Sequence, residues 1–359
     1  MEWTRGDRIG HGSFATVNLA IPKNKTCPKL MAVKSCGATH SASLMHEKLI
    51  LEQLQGFPQI ISCFGDCYSF ENGEKLYNVL LDYASGGSLG DKLKNSNDHR
   101  LSEIDVKGYT KSILKGVHFI HNNGYVHCDI KLDNILLDQY GIAKIADFGL
   151  AKKAGDGNLG GELRGTPMYM SPEMATRGEQ EFPADIWALG CAVAEMITGT
   201  STWQCSNVAA LILKIGVGED MPELPGDLSD ELKDFLKKCF VKDPRKRWTA
   251  EMLLNHPFVD HLDYVDDFQT VSYLDMIDMT LTSPRCPFEL LDWASEYSSS
   301  MTRSISSSNS STLDFDFDSN CGGGGGGGSS LNLPAKRLSR FVCDQMPNWS
   351  VKDEWITVR

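Results

Sequence analysis

A short stretch from Val126 to Asn134, Val-His-Cys-Asp-Ile-Lys-Leu-Asp-Asn, with Asp147-Phe148-Gly149 close behind, constrains this chain more than any other feature. It sets a carboxylate (Asp129), a cation (Lys131), an amide (Asn134) and a second carboxylate (Asp147) between an apolar run that reads as a helix and shorter runs that read as strands. These are parts for holding metal-bound phosphate beside a hydroxyl. In phosphoryl-transfer sites built from such parts, an Asp in a loop accepts the hydroxyl proton while an Asn and a separate Asp hold magnesium.

The chain before this stretch supplies matching parts. Residues 7 to 35 alternate short apolar runs with turn residues, as a twisted antiparallel sheet does. Ile9-Gly10-His11-Gly12-Ser13-Phe14-Ala15-Thr16-Val17 reads as a glycine-rich hairpin, whose backbone can come close to phosphate oxygens. Leu30 to Lys34 reads as a strand ending in a lysine. Leu44, Leu49, Leu51 and Leu54 recur near helical spacing around Glu47, with Gly56 as the stop. A lysine that clamps phosphates needs a carboxylate to fix its flexible stem, and Glu47 is the candidate for Lys34. Ile60 to Phe64 and Leu76 to Ala84 read as two further strands, and Ser85-Gly86-Gly87-Ser88 as a hinge. From Leu101 the period lengthens. Ser102 with Asp105 resembles a capping box, and Tyr109, Ile113, Val117 and Ile120 mark one face of a long helix that stops near Gly124.

Beyond Gly149, residues Ala151 to Arg164 read as a flexible glycine-bearing segment, and Pro183 to about Gly199 as a strongly apolar helix. Residues 263 to 320 are acidic and pass into a serine-rich run, and Gly322 to Gly328 make a linker. The end piece, 329–359, is more basic. A net charge of -12 and a pI near 5.2 argue against nucleic-acid binding, which needs a basic stripe. Eleven cysteines lie scattered through apolar runs without zinc spacing, which reads as reduced thiols in a cytoplasmic protein, or one that also enters the nucleus. No apolar run is long enough for a membrane span. The N-terminus lacks a signal-peptide core, and Glu2 excludes myristoylation.

Together the glycine loop, Ala32-Val33-Lys34, His-x-Asp-x-Lys-x-x-Asn, Asp-Phe-Gly, Ser171-Pro172-Glu173 and Asp185-Ile186-Trp187-x-x-Gly resemble the eukaryotic protein kinase family, in its order and spacing over roughly residues 3 to 260. Lys131 and Gly165-Thr166-Pro167 resemble its serine/threonine branch. Trp3-Thr4-Arg5-Gly6 and Gly-Thr-Pro-x-Tyr-Met-x-Pro-Glu are similar to the plant MEKK-like MAP kinase kinase kinases.

The resemblance implies an α+β, two-lobed fold, with a small antiparallel β lobe carrying one helix and a larger helical lobe. The kinase domain would span 1–259; beyond it, composition reads as an acidic, Ser/Gly-rich disordered region (260–328) and a short basic and aromatic segment (329–359), either a solvated tail or a docking peptide. It implies ATP and Mg2+ as cofactors and MAP kinase kinases as protein substrates. Ile9, Gly10, His11, Gly12, Ser13, Phe14 and Ala15 would cover the phosphates of ATP. Lys34, held by Glu47, would contact the α and β phosphates. Val17, Ala32 and Leu136 would sandwich adenine beside Leu81, with Asp82 and Ala84 offering backbone groups. Asp129 would be the base, Lys131 would steady the transferred group, and Asn134 and Asp147 would bind magnesium. Thr166 would belong to the substrate platform, Asp185 would be structural, and Glu173 with Arg247 would form a buried ion pair.

Two departures bear on regulation: Cys128 stands where most members carry the Arg that receives an activation-segment phosphate, and from Leu150 to Gly165 there is no Ser, Thr or Tyr. Ala15 in place of the third glycine is a milder change, in the glycine loop. Rival readings are a pseudokinase scaffold, or an active kinase outside the MAP kinase cascade. The full set Lys34, Glu47, Asp129, Asn134 and Asp147 weighs against the first.

Overall fold

The computed structural model describes residues 2–260, apart from 13–14, 24–29, 157–163, 204, 206 and 219. Ser13, Phe14, half of the glycine-bearing segment (157–163) and every expectation placed on the tail therefore lie outside the described residues. An N-terminal sheet of five antiparallel strands comprises β1 (Trp3–His11), β2 (Thr16–Pro22), β3 (Met31–Gly37), β4 (Cys63–Glu71) and β5 (Glu74–Asp82), in the order β1-β2-β3-β5-β4.

Side chains alternate across this sheet, as strand geometry demands. On one face Met31 and Val33 of β3 join Ala20 and Leu80 in a small apolar cluster capped by Trp3. Further along that face Arg5 on β1 gathers polar groups from every other strand. Its guanidinium donates to Glu71 (2.7 and 3.0 Å), Asn78 (2.8 Å), Ser35 (2.9 Å) and Asn18 (3.5 Å). The opposite face carries Ala32, Cys36, Val79 and Leu81 into the main core, against α1 (Ala42–Gln53).

Helix α1 buries Leu44, Glu47, Ile50 and Leu51. Leu49, expected on its apolar face, is 57% exposed because it sits two positions from Glu47, on the far side of the helix. The strand expected from Ile60 begins instead at Cys63 and runs on to Glu71. Gly65 breaks its register, and Phe64, Tyr68 and Phe70 point outward, so its apolar residues mark the wrong face.

The second lobe is mainly helical. It holds α2 (Leu89–Lys94), α3 (Glu103–Asn122), α4 (Pro172–Arg177), α5 (Phe182–Thr198), α6 (Val208–Gly216), α7 (Asp230–Cys239), α8 (Ala250–Leu254) and α9 (Pro257–Asp260). The capping box forms in full at α2, between Ser88 and Asp91. At α3 only its forward half is present: Ser102 accepts the Asp105 N–H, while the Asp105 carboxylate takes the Ser102 hydroxyl. Val106, Ile113, Leu114, Val117 and Ile120 form the buried face of α3. Its Gly116 lies so close to Ile145 that a Cβ there would meet Ile145 Cδ1 at 2.7 Å. Behind α3, helix α5 is buried along most of its length, and Trp187 packs edge-on against Phe240.

Between α3 and α4 come four short strands, β6 (Tyr125–Val126), β7 (Ile135–Leu137), β8 (Ala143–Ile145) and β9 (Lys152–Lys153). β6 pairs with β9, and β7 with β8. These pairings anchor both ends of the loop 127–134 and the start of the segment after Asp147. Among the described residues no helix is long and apolar enough to cross a membrane.

Candidate active site

Three charged groups meet where the lobes face each other. Lys34 leaves the core face of β3 and reaches Glu47 Oε2 on α1 at 2.6 Å and Asp147 Oδ1 at 2.9 Å. Burial would lower the lysine's pKa, but the two carboxylates outweigh it and raise it. Burial would likewise raise that of Asp147; the Lys34 ammonium and its hydrogen bond prevail and hold it at about 2. Asp147 is therefore ionised at any physiological pH. It adopts the left-handed conformation (φ 61°), which an Asp tolerates better than most residues.

A second network surrounds Asp129. Thr166 donates its hydroxyl to Asp129 Oδ1 (2.8 Å), while Lys131 Nζ (3.0 Å) and Asn134 Nδ2 (2.9 Å) approach Oδ2. Lys131 also donates to the Thr166 hydroxyl (3.0 Å), and Asn134 Nδ2 to the Asp129 carbonyl (2.8 Å). An ionised carboxylate offers about four lone-pair sites. Three are engaged here, which leaves capacity on Oδ1 for one more donor. Because Asn134 spends its amide nitrogen on Asp129, its oxygen is the atom suited to a cation.

The loop is held from beneath by Asp185 on α5. Its carboxylate accepts the backbone N–H groups of His127 (2.8 Å) and Cys128 (2.9 Å) and pairs with His121 Nε2 (2.9 Å). Burial would raise its pKa, but these hydrogen bonds, led by that of His121, lower it. Cys128 is buried at φ 70°, a costly conformation for a residue with a Cβ. Desolvation, reinforced by the neighbouring Asp185 charge, pushes its thiol pKa well up, so it is an inert filler rather than a nucleophile. His127 packs edge-on against Phe148, at 4.8 Å between ring centres.

The remaining expected residues fall around these networks. Gly10 pairs with Val17, and His11 with Thr16, across the β1–β2 hairpin, where the Gly12 N–H donates to the Ala15 carbonyl (2.9 Å). Ile9 is exposed on β1. Ala32 and Leu81 lie in the main apolar cluster, and Ala15, Val17 and Leu136 pack half-buried against it. The Asp82 N–H donates to the Ser62 carbonyl (2.9 Å), and the Ala84 carbonyl accepts from Gly87 (3.3 Å). Glu173 and Arg247 meet in a bidentate pair at 2.7 and 2.9 Å.

Sequence reasoning missed three contributors. Gln180, Glu181 and Lys152 pack around the loop, and no local pattern marks any of them. Lys152 Nζ donates to Glu181 Oε1 at 2.9 Å, and Gln180 Nε2 to the Cys128 carbonyl at 2.9 Å.

This geometry coincides with a family match. The model of the protein kinase domain fits residues 3–259. The chain belongs to the protein kinase family. Among its relatives, mitogen-activated protein kinase kinase kinase 20 of Arabidopsis thaliana is 45% identical over 371 aligned positions, covering 100% of both chains. Mitogen-activated protein kinase kinase kinases 17 and 18 of the same plant are each 41% identical, over 72% of this chain and 70% and 78% of their own. The kinase described here is thus a serine/threonine protein kinase similar to plant MAP kinase kinase kinases.

Proposed function

We propose that this kinase transfers the γ-phosphoryl group of ATP to serine or threonine hydroxyls of MAP kinase kinases. The observation that carries the reading is the joining of Lys34, Glu47 and Asp147 in one charge cluster. Beside it lies a hydrogen-bonded Asp129 with acceptor capacity to spare. A pseudokinase scaffold has no need of either. The names of the similar plant proteins support the choice of substrate.

Each role follows from the chemistry of the group. Lys34 has three N–H donors and uses two on carboxylates, so the third is directed to phosphate oxygens. Asp129 takes the proton of the attacking hydroxyl, and Lys131 compensates the charge that develops on the transferred group. Gly10, Gly12 and Ala15 present backbone to the phosphates, and Ala32, Leu81, Val17 and Leu136 supply apolar contact to adenine.

The donor set fits magnesium. Asp147 is an ionised hard oxygen ligand, the Asn134 oxygen is a neutral one, and among the described residues no group of three or more His, Cys, Asp or Glu forms a cage. That sparseness is what Mg2+ uses when phosphate completes its shell. When bound, the ion neutralises phosphate charge, and Asn134 and Asp147 would hold it.

We place the activity in the cytoplasm, extending to the nucleus; the cysteines among the described residues are all free, in keeping with a reducing compartment. The basic end piece, with Lys336, Arg337, Leu338, Phe341 and Val342, is our candidate for docking partner kinases.

The test is phosphorylation of a kinase-dead MAP kinase kinase by the purified full chain with Mg-ATP. Asp129→Asn should lower the rate by about 10²-fold or more. Equal rates for variant and parent would refute the assigned base. Phosphorylation of a general protein substrate, with none of any MAP kinase kinase, would favour a kinase outside the cascade.

A further inference from the structure

The loop that carries Asp129 is clasped by residues from the turn after α4 and the first turn of α5. Gln180 takes the Cys128 carbonyl and Asp185 takes the Cys128 N–H, so this strained residue is fixed at both ends of its backbone. Glu181 lies between them in sequence and faces elsewhere. It is the residue that opens α5, yet its side chain makes no capping bond to that helix. Instead Oε1 accepts from Lys152 Nζ (2.9 Å) and Oε2 from the Gly155 backbone N–H (3.0 Å). Lys152 donates further to the Asp156 carbonyl (2.7 Å) and is mostly buried.

These contacts join two parts of the site. Residues 152–156 form the stem that continues from Asp147-Phe148-Gly149. Val126 on β6, immediately before the loop of Asp129, pairs with Lys152 on β9, and the Ala154 N–H donates to the Gly124 carbonyl (2.8 Å). β9 has only two residues, too few to hold its register unaided. A bidentate carboxylate on its lysine and on the next turn supplies the missing restraint, and ionic hydrogen bonds are about twice as strong as neutral ones. The Gly165 backbone then closes over the loop at φ 97°, so near that a Cβ would meet the Cys128 carbonyl at 2.8 Å.

We propose that Glu181 is a positioning residue: its permanent carboxylate, through Lys152 and the Gly155 N–H, holds the stem that carries Asp147 against the loop that carries Asp129, so that transfer needs no phosphate on residues 150–170. Phosphorylation orders such segments elsewhere by adding charge for a cation to grip. Here that charge is encoded. Leu150 to Gly165 offers no hydroxyl to modify, and the Thr166 hydroxyl is engaged by Asp129 and Lys131. The inference rests on the phosphoryl-transfer reading of Asp129 and Asp147, but not on which protein is the substrate.

The experiment uses the full chain, treated with phosphatase and shown by intact mass to be unmodified, with steady-state kinetics on one protein substrate. The parent should remain active. Glu181→Gln and Lys152→Met should each lower kcat roughly 10- to 100-fold, the scale of a small displacement of catalytic groups, with KM for ATP within about twofold. Melting temperatures and circular dichroism report whether each variant folds. The double variant Glu181→Gln with Lys152→Met should be slower than the worse single variant by no more than about threefold, because both changes break the same restraint. Parental kcat in Glu181→Gln, or losses that multiply in full in the double variant, would overturn the proposal. So would an unmodified parent that is inactive until residues 150–170 are phosphorylated. An Asp129→Asn protein as fast as the parent would instead refute the phosphoryl-transfer reading.

Discussion

Replacing Arg247 by Met should destabilise the kinase by at least about 3 to 5 kcal/mol, the usual cost of stranding one member of a buried ion pair. Both side chains of the pair are almost wholly buried, at 0% exposure for Arg247 and 4% for Glu173. The guanidinium also donates to the carbonyls of Val241 (2.9 Å), Pro183 (2.6 Å) and, at a longer 3.5 Å, Lys242, and stacks 5.2 Å from the Trp187 ring. Its loss therefore leaves Glu173 and three carbonyls without these donors, the two close ones each adding about 1 kcal/mol or more if no water replaces the bond. Glu173→Gln should cost less, because the amide oxygen still accepts one N–H. For a domain of this size about 2 to 4 °C accompanies each kcal/mol, so Arg247→Met should melt roughly 6 to 20 °C below the parent. Urea unfolding of the parent, the single variants and the pair Glu173→Leu with Arg247→Met measures the coupling. The double variant should cost at least about 1 kcal/mol less than the sum of Glu173→Leu and Arg247→Met alone. An Arg247→Met protein within about 1 kcal/mol of the parent would show that the pair does not brace the lobe.

Arg5→Ala should cost about 1 to 3 kcal/mol by removing the charged donor shared by Glu71 and the buried Asn78, which keep only their bonds to Ser35, Ser69 and the Cys67 carbonyl, and Arg5→Lys should not restore it, since an ammonium cannot reach four side chains in a plane. Hydrogen exchange should show lost protection in β1 and β2, and unchanged exchange would refute the clamp. Asp147 titrates at about 2 against an ordinary 3.8, so its bridge to Lys34 contributes stability that is complete above about pH 4 and lost as pH falls through 2. Carboxyl-carbon NMR of the native protein checks this, and an Asp147 pKa at or above 3.8 would contradict it.

Motifs made the site legible because phosphoryl transfer restricts residue type at fixed spacing. Lys34, Glu47, Asp129, Lys131, Asn134, Asp147 and Thr166 are all legible from sequence, and the fold gathers them into two networks linked through the Ala146 N–H, which donates to the Asn134 carbonyl (2.9 Å). The direct Lys34–Asp147 contact was not foreseen, since a separation of 113 residues leaves no periodic trace. Helix α2 escaped notice because six residues hold too few turns to show a period. β4 was misplaced because it is an edge strand whose aromatic side chains face solvent. Glu181 leaves no sequence signal for a different reason: an acidic residue at the start of a helix is ordinarily a cap, and only the fold turns this carboxylate toward Lys152.

The Arg5 network also governs how the small lobe can move. One guanidinium fastened to groups on all five strands resists shear between neighbours, so the sheet behaves as a stiff panel. Beyond it, Gly86 and Gly87 exchange backbone hydrogen bonds with Leu137 (2.9 and 2.8 Å), which pins the lower end of the linker to the helical lobe. A second anchor lies after α1, where Ile145 exchanges backbone hydrogen bonds with Gln59 and Ile61 (2.8 and 3.0 Å). A small rotation of the sheet about these two anchors, carried by a panel that resists shear, becomes a larger sweep at the far edge. Gly10 and Gly12 sit on that edge, so they move with the panel rather than by bending within it.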